Sequence, residues 1–375
     1  MRVTIVGAGI IGLSLAWELS RRGAKVRVLD RGQAGKETSW AGVGILPAAR
    51  LDTATDPLER LRGLSHQLYP KWAELLFQST GLDSGLRRSG GLYLASTPGE
   101  AASLMASVAY QQDLGLDVAL LSPEDLIREE KNLAAWAKSP RFRAAALSPD
   151  EWQIRTPLHL AALIAECQNH GVSIEENLAA QLVMRGDRAE LSIAGETSSA
   201  THGNELICVC GGAWSGQFAS EVGLGQSVIP IRGQVVMYRL HEPPFNRIVN
   251  EGHRYLVPRE DGHLLIGSCE EEVGFQKGTT PEMLDSLQQW AESILPVLLG
   301  MKPEKSWSGL RPGTFDGFPM IGKVPEVSNL FVASGHYRSG IHLAPATAVV
   351  LADIMSDQKP AVDVAAFRVG RMISR

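Results

Sequence analysis

The first dozen residues constrain the fold more than any other stretch of the chain. Arg2-Val-Thr-Ile-Val6 reads as a short apolar strand that runs into Gly7-Ala-Gly9-Ile-Ile-Gly12 and then a helix. Glycines at a strand-to-helix turn suit a dinucleotide pyrophosphate. Gly7 permits the tight turn, Gly9 lets the backbone approach the phosphates, and Gly12 lets the helix lie close on the strand. The helix N-terminus adds unpaired N–H groups and partial positive charge. A lone GxGxxG arises by chance, but both flanks agree with it. Leu15, Ala16 and Leu19 mark a helix ended by Gly23, and Lys25-Val-Arg-Val-Leu-Asp30 follows as a second strand. Asp30 closes that strand about 20 residues beyond the glycines, where an acid grips a ribose hydroxyl.

Composition narrows the class. At 375 residues the chain is long for one core, so two domains are expected. A formal charge of -5 argues against a nucleic-acid partner, because phosphate binding needs a basic surface. No apolar run approaches the roughly 20 residues that cross a bilayer, so no integral membrane segment is expected. The thiols are Cys167, Cys208, Cys210 and Cys269. Cys208 and Cys210 sit two apart on one apolar strand, facing the same side. That is neither a CxxC nor a zinc spacing, and they read as buried thiols of a reducing compartment. The nine histidines are scattered without a ligand cluster, so no metal is expected. The first motif begins at residue 3, leaving no targeting segment before it; a cytoplasmic location is the expectation.

Further along, Gly32 to Pro47 is a glycine-rich yet apolar loop that suits close approach to a cofactor, with Thr38 and Ser39 as hydroxyl donors. Helices are expected over Leu58–Ser79, Pro98–Asp113, Pro157–His170, Pro281–Leu299 and Ile341–Met355. Gly171–Glu175 reads as a further strand of the first sheet, and Gln181–Met184 as the start of a small β excursion. Gly90–Ala95 is another strand, and Glu205–Cys210 leads through Gly211-Gly212 into a helix. Then the pattern changes. Gly233–Arg239, Arg254–Pro258 and His263–Gly267 are strands without intervening helices, the last two joined at Asp261-Gly262, which implies an antiparallel sheet. The nucleotide domain is thus expected to be discontinuous, over 1–85, 140–220 and 310–375. A substrate domain takes 86–139 and 221–309.

Two late motifs complete the pattern: Trp307–Gly322, containing Arg311 and Asp316, and Gly335–Ala346, containing Arg338. The second places Gly335 and Gly340 between a strand and the last helix, aiming another helix N-terminus into the fold. In a flavoprotein that dipole suits the pyrimidine end of the ring, which gains negative charge on reduction.

These motifs carry a resemblance. GAGIIGLSLAWEL, TSWAGVGIL, YLVPREDGHLLIGS, GLRPGTFDGFPMIGK and GHYRSGIHLAPATA together resemble the D-amino-acid oxidase superfamily of FAD enzymes. The likeness is greatest to the glycine oxidases of thiamine biosynthesis. It runs from residue 3 to about residue 352, and the last two motifs are far more specific than GxGxxG. The implied fold class is α/β: a discontinuous Rossmann-like FAD-binding domain with an antiparallel-sheet substrate domain.

The resemblance implies that Gly7, Gly9, Ile10, Ile11 and Gly12 hold the FAD pyrophosphate, with Asp30 and Arg31 at the adenosine ribose. Thr38, Ser39, Val43, Gly44 and Ile45 line the pyrophosphate and flavin, and Ala180 falls near adenine. Gly335 and Tyr337, Arg338, Ser339, Gly340, Ile341, His342 and Leu343 surround the ring. Arg311 matches the arginine that pairs the substrate carboxylate bidentately. Tyr255 matches a tyrosine that shares that carboxylate, and Arg338 a residue whose main chain approaches the substrate. Glu270 is expected to face solvent with Glu271 and Glu272, since runs of charge are usually solvated; the alternative is an inward Glu270 that attracts the substrate ammonium.

The implied reaction is oxidative deamination of glycine, sarcosine or a small D-amino acid, with O2 as electron acceptor and H2O2 as product. Trp307 to Asp316 lacks the cysteine, and Gly35 to Gly44 the histidine, that covalent attachment would need, so FAD is expected to be non-covalent. Relatives imply a homo-oligomer. Alternatives are a D-amino-acid dehydrogenase with another acceptor, a sarcosine oxidase, a nicotinamide dehydrogenase built on the first motif, and a non-catalytic flavin binder. The second glycine turn counts against the nicotinamide enzyme.

Overall fold

Strand Arg2–Val6 lies inside a six-stranded sheet, between Leu206–Val209 and Lys25–Leu29, and runs parallel to both. This computed structural model describes residues 1–193, 205–223 and 227–371, and statements about what is present or absent concern those residues. The chain extends the sheet first to one side, through Lys25–Leu29 to Ser173–Glu175. It then moves to the other side, through Leu206–Val209 to Leu330–Ser334 and an antiparallel edge, Met320–Lys323. Strand order therefore reverses at Arg2–Val6, and a ligand crevice opens at the carboxyl ends of strands at such a reversal.

One face of this sheet is covered by helices Ile10–Arg21, Pro57–Thr80, Thr156–Asn169 and Gly340–Met355, which share a core with Val3, Ile5, Val26 and Val28. The alternate residues Val6, Leu29, Ile207 and Val209 pack under the hairpin of Ala180–Arg185 and Arg188–Ile193. Local chemistry explains the helix ends. Asp56 accepts from the Leu58 and Glu59 N–H groups and Pro57 starts the helix, while Gly81 ends it in a left-handed conformation at φ 71°. Thr97 and Glu100 form a reciprocal cap on Pro98–Asp113. The helix expected to reach Leu299 stops at Ile294, because Pro296 cannot continue it; a short 3-10 turn, Pro296–Leu298, follows.

The eight-stranded sheet runs in the order Lys305–Gly313, Ile229–Arg239, His263–Gly267, Arg254–Pro258, Ile248–Glu251, Gly91–Ala95, Ala144–Ser148 and Ala119–Leu121. It is mixed rather than wholly antiparallel. Ile248–Glu251 runs parallel to Gly91–Ala95, since the chain leaves the sheet between these strands and returns from the far side. Ala144–Ser148, beyond the expected boundary at residue 140, also pairs in this sheet, against Gly91–Ala95. Helix Pro281–Ile294 covers one face through Leu287, Trp290 and Ile294. The opposite face, carrying Val235, Tyr255 and Val257, looks toward the loop at Val43.

Helix Gly340–Met355 carries Pro345 in its interior, and the helix Pro57–Thr80 makes good what is lost. Proline has no N–H for the Ile341 carbonyl four residues back. The Tyr69 hydroxyl donates to that oxygen instead. Ser65 bridges the next rung: its hydroxyl donates to the His342 carbonyl, and it accepts from Ala346 N–H at 3.2 Å. The helix is thereby fixed with its N-terminal residues Gly340 and Ile341 at the cavity between the sheets.

Candidate active site

A cavity of about 1030 Å³ runs from the first glycine turn to the inner face of the large sheet. It is lined at one end by Gly7, Gly9, Ile10, Ile11, Asp30 and Arg31, and at the other by Tyr255, Arg311 and Tyr337. That volume lies at the top of the roughly 300–1,000 Å³ typical of ligand pockets. Thr38, Ser39, Val43, Gly44, Ile45 and Ala180 line its walls, as do Arg338, Ser339, Gly340, Ile341 and His342.

Three expected residues do not line it. A Cβ on Gly12 would fall 2.0 Å from the Gly7 carbonyl oxygen, so this glycine serves the close packing of helix on strand. Gly335 adopts φ +81°, and a Cβ there would meet Thr314 Cγ2 at 2.4 Å. Leu343 faces the core at 1% exposure. The three shape the site from behind.

At the glycine end, Gly7 holds φ +110° and a Cβ would lie 2.4 Å from the Cys210 carbonyl oxygen. Gly9 is the N-cap of helix Ile10–Arg21 and brings no side chain to cap it. Its positive end therefore opens into the cavity. The Asp30 carboxylate accepts from Ala8 N–H at 2.7 Å and Gly32 N–H at 2.8 Å, which ties the end of the second strand to the glycine loop. Each carboxylate oxygen keeps a second lone pair. Ser39 Oγ accepts from Ile10 N–H at 2.9 Å. Thr38 differs from expectation: its hydroxyl donates to the Leu310 carbonyl at 2.6 Å and fastens the loop to the large sheet.

Arg259, which the YLVPREDGHLLIGS motif contains but sequence reasoning did not single out, holds the cavity-lining loop at Val43 from behind. It is 6% exposed, and no carboxylate pairs with it among the described residues. Its guanidinium donates to Gln153 Oε1 at 2.5 Å and to the Val43 carbonyl at 2.6 Å. Burial lowers its pKa to about 10, so it stays charged at neutral pH while gripping the loop. Trp214 lines the cavity, whereas Arg259 lies behind it, and the Arg31 guanidinium stands 3.9 Å from the centre of the Trp214 ring. Its place after the Gly211-Gly212 turn was the available signal.

At the large sheet, Arg311 Nη1 donates to the Cys269 carbonyl at 2.9 Å and Nη2 to Ser268 Oγ at 2.6 Å. Two donors of the guanidinium are spent on orientation, and its remaining N–H groups are left for a ligand. Behind these anchors, Glu271 accepts from Arg232 at 2.8 Å and from Gln234 at 2.8 Å. That arginine holds the Glu271 carboxyl down at about 2. Tyr255 is 8% exposed, and its hydroxyl has no hydrogen-bond partner among the described residues. It lies over Gly267, where a Cβ would stand 2.5 Å from that oxygen.

Glu270 is exposed as expected, whereas Glu271, expected to share that solvated face, is turned inward. The acidic run splits, with Glu271 turned in to Arg232 and Glu270 paired with Arg338 at 3.0 Å. The Glu270–Arg338 pair is partly exposed, at 40% and 43%, beside the cavity wall formed by Tyr337. Burial, then the hydrogen bond to Glu270, pushes the Tyr337 phenol above its usual range. Cys208 and Cys210 face the same side, their sulfurs 3.7 Å apart. No group of metal-binding side chains occurs among the described residues, and no helix among them is long and apolar enough to cross a membrane.

The reversed strand order and the glycine turn suit a dinucleotide at one end of the cavity, and an arginine and a tyrosine line its other end. Residues 2–354 match the family model described as FAD dependent oxidoreductase. The chain is 34% identical over 368 residues to glycine oxidase of Pseudomonas aeruginosa, covering 98% of each. It is 32% identical over 374 residues to glycine oxidase of Geobacillus kaustophilus, covering 100% of this chain and 97% of that one. A crystal structure of glycine oxidase from that organism superposes with a TM-score of 0.91 at 32% identity, covering 100% of both chains. The chain belongs to this family: it is an FAD-dependent enzyme of the amino-acid-oxidase kind. The glycine N-cap of the first helix, the glycine turn and the long cavity fit FAD.

Proposed function

We propose that this protein oxidatively deaminates glycine, sarcosine or a small D-amino acid, yielding a 2-oxo acid, ammonia or an amine, and H2O2. The observation that carries the reading is Arg311, anchored by two hydrogen bonds yet facing the cavity with donors to spare, beside the unpartnered hydroxyl of Tyr255. Bound non-covalently, FAD supplies the acceptor for a hydride, with O2 as the final oxidant.

The chain's own residues do the rest. Gly7, Gly9, Ile10 and Ile11 cradle the pyrophosphate at the helix end, and Asp30 takes the ribose. Arg311 clamps the substrate carboxylate through a planar fork, and Tyr255 donates to the same group; together they fix the α-carbon. The N-terminus of Gly340–Met355, whose Gly340 and Ile341 line the cavity, would favour negative charge on a flavin ring held there. No His/Asp dyad is needed, since orientation and electrostatics carry the hydride step. Kinship with glycine oxidases supports the substrate class. A bifunctional ThiO/ThiG protein of Synechocystis, 30% identical over 387 residues, supports a place in thiamine biosynthesis; the match spans 99% of this chain and 54% of that protein.

The test is a substrate panel. Purified holoenzyme is mixed with glycine, sarcosine and D-alanine, and H2O2 and oxygen uptake are followed. Peroxide in proportion to oxygen consumed is the expected result. Flavin reduction without oxygen uptake would favour a dehydrogenase, and no reduction by any amine would remove the reading.

A further inference from the structure

Glu151 is buried at 0% exposure, yet no cation pairs with it among the described residues. The Tyr93 hydroxyl donates to Oε2, and Asn250 Nδ2 donates to Oε1 at 3.3 Å. Both donors line the cavity, whereas Glu151 does not. The carboxyl is fitted over Gly91, where a Cβ would stand 2.3 Å from Oε1. Burial raises its pKa to about 7, so it gains and loses a proton in the neutral range.

Register links this cluster to the substrate end. Tyr93 pairs with Asn250 across one strand boundary, and Asn250 with Tyr255 across the next. Neighbouring strands lie about 4.8 Å apart, and paired residues share a face. The row therefore leads in two steps from the buried carboxyl's partner to the tyrosine that takes the substrate carboxylate. Two histidines, His336 and His342, also line the cavity, but burial disfavours the charged form of each. His336 is buried, held near a pKa of about 3, and hydrogen-bonded to Thr347. Burial also lowers His342, and Asp30 stands at the glycine end.

We propose that Glu151, acting through Tyr93, takes the proton that a substrate ammonium must shed before hydride loss, while it orients Asn250 toward the amine. This rests on the amine-oxidation reading above. In the step, an ammonium N–H bond breaks and its proton passes to Tyr93 Oη. The phenolic proton moves to Glu151 Oε2. The products are a neutral amine, a restored phenol and a protonated carboxyl, which returns its proton along the same path before the next turnover. Asn250 Nδ2 is held by Glu151 and by the Leu92 carbonyl at 3.4 Å, which leaves Oδ1 to accept from the amine. Glu151 is a positioning and proton-holding residue that acts through two side chains facing the cavity.

The experiment is anaerobic reduction of the flavin by glycine and by sarcosine across pH 6–10, in wild type, Glu151→Gln and Tyr93→Phe holoenzymes. Glutamine keeps the shape but cannot hold the proton; phenylalanine keeps the carboxyl and cuts the path. In both variants the acid limb of the reduction rate should move up by about one pH unit or more. That makes reduction about tenfold slower near neutrality, with rates converging at high pH. Acetate binding, read from the flavin spectrum, should stay within about twofold, because Arg311 and Tyr255 are untouched. If Glu151→Gln fails to retain FAD, Tyr93→Phe alone decides, by the same criterion. An unmoved limb, or an equal loss of rate at every pH, overturns the proposal and leaves amine oxidation standing. A wild-type flavin that no amino acid reduces overturns the amine-oxidation reading, and this inference with it.

Discussion

The Arg311 guanidinium rests against Gly233 on the adjacent strand: a Cβ built at Gly233 would fall 2.4 Å from both Nη1 and Nη2. Nothing larger than hydrogen fits under the guanidinium, so the neighbouring strand sets where the fork points.

Gly233→Ala should therefore push Arg311 from its anchors without touching the glycine turn. Expected is a rise in KM for the amino acid of about tenfold or more, with FAD content unchanged, since a small misplacement of an orienting group is costly. Steady-state kinetics beside a flavin-to-protein absorbance ratio checks this. Full retention of the wild-type KM would show that Arg311 tolerates displacement.

Arg311→Ala removes the fork itself. Hydrogen bonds to charged groups are worth about 1.5–3 kcal/mol each, so losing the carboxylate's partner should raise KM on the order of 100-fold or more. Flavin should remain bound. An unchanged KM would take Arg311 out of its assigned role.

Gly7→Ala should act at the opposite end. The positive φ and the 2.4 Å approach to the Cys210 oxygen leave no room for a methyl group. The expected product is a colourless or weakly yellow protein with a lowered Tm that excess FAD restores only in part. A fully loaded variant would contradict the fit.

Glu271 gives a prediction about acid. Its carboxyl lies at about 2 against an ordinary 4.5, chiefly because Arg232 donates to it. A lowered carboxyl contributes stability that is fully present above about 4.5 and is lost as pH falls toward about 2. Wild type should exceed Glu271→Gln in Tm at pH 7, and the gap should close across that window. A gap independent of pH would mean that shape, not charge, accounts for it. Because the Glu271 loop carries Ser268 and Cys269, KM should rise with the loss of stability.

What was legible in the sequence was what is local. Gly7, Gly9 and Asp30 announce a dinucleotide turn because their backbone and spacing requirements lie within 30 residues, and Arg311 stood out inside a specific motif. Relationships between distant strands were not legible. The four-residue strand Ile248–Glu251, half polar, shows no periodicity, and its parallel pairing with Gly91–Ala95 depends on a return across some 150 residues. Tyr93 and Asn250 were missed for that reason. Glu271 departs from the expectation because a run of like charge reads as one solvated face, whereas Arg232 draws this one carboxylate inward and leaves Glu270 exposed beside Arg338. Thr38 had its hydroxyl assigned to a ligand, and Leu310 takes it instead.

The chain visits its two large sheets by turns: Lys25–Leu29, Gly91–Ala95, Ser173–Glu175, Ile229–Arg239 and Leu330–Ser334 alternate between them. A backbone stitched in this way has no seam along which half could come loose. Denaturant should melt both layers in one cooperative transition, and a protease nick in the middle of the chain should leave no fragment able to survive by itself.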